Sequence, residues 1–68
     1  MTHLEYLYER VKIGIDAHPS EKEIEDFIWY AKLISPHRTF VVKGCQDCVN
    51  ELVRFVFENV NRLNNGNN

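Results

Sequence analysis

Apolar residues recur with a helical period in three separate stretches of the chain. On a helix each residue turns by about 100°, so residues spaced i, i+3, i+4, i+7 share one face. From His3 to Ile15, Leu4, Leu7, Tyr8, Val11 and Ile15 fall on one stripe. Thr2 and Glu5 stand at the spacing of a capping box in front of them, and Gly14 weakens the last turn. From Glu21 to Ile34, Ile24, Phe27, Ile28 and Ala31 repeat the pattern, with Ile34 at its edge. Ser20 and Glu23 form a second capping box, and Ser35-Pro36 closes the stretch because the residue before a proline is pushed out of helical geometry. The pattern predicts helices over residues 3–15 and 21–34.

The third stretch, Gly44 to Leu63, is the longest of the three. Val49, Leu52, Val53, Val56, Val60 and Leu63 make one apolar stripe, while Glu51, Arg54, Glu58 and Arg62 make a charged stripe opposite. Asp47 is a good N-cap residue, which predicts a helix over 47–63. Between the second and third helices lies Thr39-Phe40-Val41-Val42, β-branched and aromatic. Such a run is strand-like, yet no second strand is evident to pair with it. The expectation is an extended linker lying across the helices with Phe40 and Val42 as plugs. Pairing with a second copy of the segment and a short helical turn are the alternatives. The fold class is therefore all-α: a small three-helix bundle with a short extended segment before the third helix. Residues 1–63 form a single domain, and the polar, asparagine-rich 64–68 is a disordered tail.

Composition narrows the functional classes. A 68-residue chain with a formal net charge of −2 has no basic excess to hold phosphates, so nucleic acid is not the expected partner. The basic loop of His37, Arg38 and Lys43 is too small to argue groove binding. The ten-residue scale of the connection between helices two and three is also too long for a helix-turn-helix turn of about 3–4 residues. No run approaches the roughly 18 apolar residues of a membrane span. The opening MTHLEYLYERVK carries acidic residues and no long apolar core, unlike a signal peptide. The expected location is cytoplasmic, in a reducing interior with thiols free or metal-bound.

Neither a Gly-rich phosphate loop nor a nucleophile elbow is present, and adjacent carboxylates such as Glu25 and Asp26 diverge on a helix. No catalytic residues are assigned and the chain is not expected to be an enzyme. Two features remain. Cys45 and Cys48 have the spacing at which two sulfurs bind one metal ion or close a small disulfide, and they fall at the start of the third helix, where a thiolate is favoured. If the helices run up, down and up, the start of the first helix and the connection into the third share one end. His3, His37, Cys45 and Cys48 would then make a tetrahedral zinc set. Without metal, the pair reads as a thiol redox element or as two small buried hydrophobes.

The second feature is apolar surface beyond the core stripes. Trp29 and Leu33 lie four apart on the outward side of the second helix with Tyr30 beside them. Phe55 and Phe57 flank the core stripe of the third, and Tyr6 and Ile13 share an outer face of the first. Trp and Tyr are the residue types that anchor interfaces. The leading expectation is a non-enzymatic protein–protein interaction or homo-oligomerisation module. It would use Trp29, Tyr30, Leu33, Phe55 and Phe57, then Tyr6 and Ile13, with itself or another protein as partner and no cofactor. The zinc-stapled domain is the alternative.

Overall fold

The structure is a computed structural model that describes the backbone from Thr2 to Gly66 and the side chains from Thr2 to Val60. It is all-α. Helix α1 spans His3–Lys12, α2 spans Glu21–Ile34 and α3 spans Gln46–Gly66; no strand forms among the described residues.

Each boundary has a local cause. Thr2 caps α1 by accepting the Glu5 N–H at 3.1 Å. The helix stops earlier than the periodicity predicts. Gly14 adopts φ +88°, the Gly14 N–H donates to the Val11 carbonyl and the Ile15 N–H to the Arg10 carbonyl. That pair of bonds is a Schellman motif, which satisfies the last carbonyls and turns the chain out of the helix. Gly14 terminates α1 rather than weakening it, and Ile15, expected in the core, is 43% exposed. Helix α2 has the predicted bounds, with both bonds of the Ser20–Glu23 capping box formed. Helix α3 begins at Gln46 and carries to Gly66, three residues past the expected end at Leu63. Residues 67 and 68 of the expected tail, and the side chain of Leu63, lie outside the described residues.

Helix α3 is the spine. Both α1 and α2 pack against it, whereas no Cα of α1 comes within 8 Å of one in α2. Tyr8, near the middle of α1, stacks on Phe57 with ring centroids 4.2 Å apart. The connection after α1 meets Gln46 and Asn50 at the start of α3. Helix α1 therefore runs antiparallel to α3. The first half of α2 lies beside the later turns of α3, where Glu23, Asp26 and Phe27 share a cleft with Val56 and Val60. The starts of α1 and α2 are joined by a His3–Glu23 hydrogen bond. This corrects the up-down-up order: α1 and α2 begin at the same end, and α3 begins at the other. The eight residues 13–20 can reach about 26 Å when extended, more than the roughly 15 Å rise of a ten-residue helix, so the chain can run back instead of turning tightly.

The core is apolar throughout. Leu7, Val11, Phe27, Ala31, Leu52, Val53 and Val56 are buried together, with Ala17 of the first connection fully enclosed among them. Phe40 and Val42 pack against this cluster from the extended segment. Around α3, α1 and the connection after it cover the Asn50–Phe57 side, α2 the Val56–Val60 side and the segment before α3 the Cys48–Leu52–Phe55 side. Asp47, Glu51, Arg54 and Glu58 are left facing solvent.

Candidate functional site

Two surfaces hold the residues that sequence reasoning singled out. The first is the outward side of α2. Trp29 is 60% exposed, Leu33 61% and Tyr30 47%. Trp29 and Tyr30 meet edge to face at 5.3 Å between centroids, so the two rings form one apolar unit. Glu25 and Asp26 precede them on the helix and Lys32 follows. Tyr6 and Ile13 on and after α1 are also exposed. Tyr6 lies under the Arg10 guanidinium, which sits 5.7 Å from its ring centre.

Phe55 and Phe57 do not belong to this surface. Both are half-buried. Phe57 stacks on Tyr8, and Phe55 packs against Phe40 at 5.5 Å between centroids. Arg38 lies over both Phe40 and Phe55 and donates to the Glu51 carboxylate at 2.8 Å. The segment that looked like an unpaired strand is thus folded back to cover Phe55. It also takes Arg38 out of the small basic loop, by pairing it with Glu51.

The second surface is the start of α3. Cys45 and Cys48 form a disulfide, with their Cα atoms 5.2 Å apart. Gly44, at φ +73°, turns the chain so that the Cys45 N–H reaches the Val42 carbonyl at 3.1 Å. The Cys45 carbonyl accepts the Val49 N–H, the first bond of α3. The Cys45 sulfur accepts the Cys48 N–H at 3.2 Å. Cys45 is therefore the N-cap, with sulfur in the place usually taken by a side-chain oxygen; Asp47, predicted for that position, sits in the first turn. Cys48 borders a cleft of about 90 Å³ whose other walls are Arg38–Val42, Glu51 and Leu52.

The four-ligand zinc set is not assembled. Its two sulfurs are bonded to each other, and His3 is held by Glu23 at the far end of α3 from Cys45. His37 is exposed in the turn after α2, and His18 is exposed in the first connection. Among the described residues no group of three or more His, Cys, Asp or Glu side chains could hold a metal ion. The physical reason is the reversed order of the ends. With α1 antiparallel to α3, its first residue cannot reach the start of α3.

One polar device escaped the sequence reading. Gln46 and Asn50, one turn apart on α3, grip the first connection. Gln46 Nε2 donates to the Ala17 carbonyl at 2.7 Å, the Ala17 N–H donates to Asn50 Oδ1 at 2.9 Å, and Asn50 Nδ2 donates to Asp16 Oδ1 at 3.0 Å. Arg10 adds two bonds to the Asp16 carbonyl. The buried backbone of Ala17 is satisfied this way, as an enclosed peptide group must be. Two amides at i, i+4 near a helix start were the available signal.

Compared with known proteins, the chain matches no family model, no curated protein and no solved structure. Among the described residues, no helix is long and apolar enough to cross a membrane.

Proposed function

We propose that the chain is a small non-enzymatic module that associates with a second copy of itself through the outward side of α2. The observation that carries this reading is the Trp29–Tyr30–Leu33 cluster, large apolar groups in one place and exposed. Trp and Tyr anchor interfaces because they bury much area at low cost in side-chain entropy. The charge pattern favours a second copy over an unrelated partner. Acidic Glu25 and Asp26 precede the cluster and Lys32 stands within it, just before Leu33. In an isologous contact residue i of one copy meets j of the other, and j meets i. Two antiparallel α2 helices crossing near Trp29 bring Lys32 of each toward Glu25 of the other. A small domain also gains from such association, because its own core supplies little, roughly 3–5 kcal/mol.

Sedimentation equilibrium over the micromolar range tests this. A dimer is expected for the natural sequence, and a monomer of unchanged helicity for Trp29→Lys. A monomer at every concentration, or a dimer indifferent to Trp29→Lys, overturns it. In the first case a foreign partner becomes the reading to pursue.

A further inference from the structure

The disulfide at the start of α3 does little as a staple. It joins residues three apart in sequence and ties neither α1 nor α2 to anything. A loop this short confines the unfolded chain far less than a long one would. Its surroundings suit chemistry better than tethering. The Cys48 N–H already points at the Cys45 sulfur, and the free N–H groups of the first turn carry the positive end of the helix dipole. A thiolate on Cys45 would be held by both, which makes Cys45 the better leaving group when the disulfide is attacked.

The wall beside it supplies a place for a partner. Thr39, Phe40 and Val41 run in no helix and no strand, and among the described residues none of their backbone groups takes a hydrogen-bond partner. Phe40 is turned toward the core, while Val41 is 68% exposed. This segment, its backbone groups unpaired, forms one wall of the cleft that Cys48 borders. Backbone N–H and C=O groups left unpaired beside a cleft can bond the main chain of an extended segment, the kind of bond that gives strand addition its affinity.

We propose that Cys45–Cys48 is a thiol–disulfide exchange site for an extended polypeptide segment bearing two thiols, docked along Thr39–Val41 and attacking at Cys48. The electrons balance as follows. A partner thiolate attacks Cys48 Sγ; the Cys48–partner S–S bond forms, the Cys45–Cys48 bond breaks, and the pair of electrons leaves on Cys45 as thiolate. The partner's second thiolate then attacks the partner sulfur of the mixed disulfide and expels Cys48. The partner dithiol is oxidised to a disulfide, Cys45 and Cys48 are reduced, and the partner's two protons pass to the outgoing sulfurs or to solvent. The site shares no residue with the outward face of α2, so it stands whether or not that face mediates association.

The test uses the full oxidised chain and two synthetic peptides, each with a single cysteine so that no second thiol of the same peptide resolves the mixed disulfide, which the acid quench traps before Cys45 re-closes on Cys48. One has valine and threonine on either side of the cysteine; the other has proline in place of each valine. 2-Mercaptoethanol serves as the small thiol. Reactions are quenched with acid and mapped by fragmentation mass spectrometry. The valine peptide is expected on Cys48, with Cys45 free. It is expected to exchange about tenfold faster than the proline peptide, whereas 2-mercaptoethanol lacks that advantage because it has no main chain to dock. Attachment chiefly to Cys45 overturns the direction of attack, and equal rates for the two peptides overturn the docking. Replacement of Cys45 by serine gives a second check. Cys48 alone should then hold a lasting mixed disulfide with the valine peptide activated as a disulfide, while circular dichroism reports the fold; a folded variant that fails to do so overturns the proposal.

Discussion

Ser20 closes the start of α2 from both sides. Its hydroxyl accepts the Glu23 N–H at 3.2 Å, and its own N–H donates to the Glu23 carboxylate at 2.8 Å. That backbone bond holds the Glu23 carboxyl below its usual 4.5; partial burial works against it, and hydrogen bonds with His3 and Ser20 side chains add to it. A carboxylate whose pKa is lower folded than unfolded contributes stability above its unfolded value, and the contribution is lost as pH falls through the folded value. Urea unfolding followed through the acid range should therefore show stability falling below about pH 4.5. Glu23→Gln should be less stable at neutral pH and show a smaller acid loss. Ser20→Ala removes the cap itself and is expected to cost about 1 kcal/mol at neutral pH. These residues were legible because a capping box is a local signal, complete within four positions. Cys45 was not. Sulfur is outside the usual set of caps, so Asp47, two residues on, was the better candidate on chemistry alone.

At the scale of elements, α2 could be read in full because its period, cap and stop agree. Helix α1 could not be ended correctly from its pattern. Ile15 continues the apolar period, but Gly14 at φ +88° is an interruption that overrides it. The covering of Phe55 by Phe40 and of Phe57 by Tyr8 was equally hidden. Those ring pairs lie far apart in sequence, and periodicity says only which face a residue shares, not what lies on it. Buried and outward positions on the helices should respond differently to truncation. Leu52, 1% exposed, should cost roughly 2–5 kcal/mol when cut to alanine, enough to unfold much of a domain this small. Leu33→Ala, at an outward position, should stay within about 0.5 kcal/mol in the monomer. Denaturant melts of the two variants, run at a concentration where the chain is monomeric, check the contrast.

For the molecule as a whole, the disulfide and the fold should be separable. The core of Leu7, Val11, Phe27, Ala31, Leu52, Val53 and Val56 contains neither cysteine. Reduction with a strong dithiol should leave far-ultraviolet circular dichroism unchanged and lower the unfolding free energy by about 2 kcal/mol at most. Loss of helicity on reduction would mean that the bridge holds the fold. Association through Trp29 belongs to this scale too, and should be unaffected by reduction. Helix number and class were legible from sequence; the order of the ends was not. Three amphipathic stripes fix that the helices bury a common core, while the direction of each depends on whether a connection turns or runs back, and the eight residues 13–20 permit both.

Because α1 and α2 both pack on α3, with no Cα of one within 8 Å of the other, the chain has a particular problem as it is made. Translation delivers the two outer helices first, and each emerges with its apolar stripe bare. Neither can shelter the other, since the surface both require is encoded after Gly44. Even the grip of Gln46 and Asn50 on Ala17 waits for the last helix. Folding on the ribosome should then be late and abrupt rather than progressive, with the nascent chain open to chaperones until the turns around Val56 have cleared the exit tunnel. A ribosome-display series stalled at successive lengths would show protease resistance arising in one step, not two.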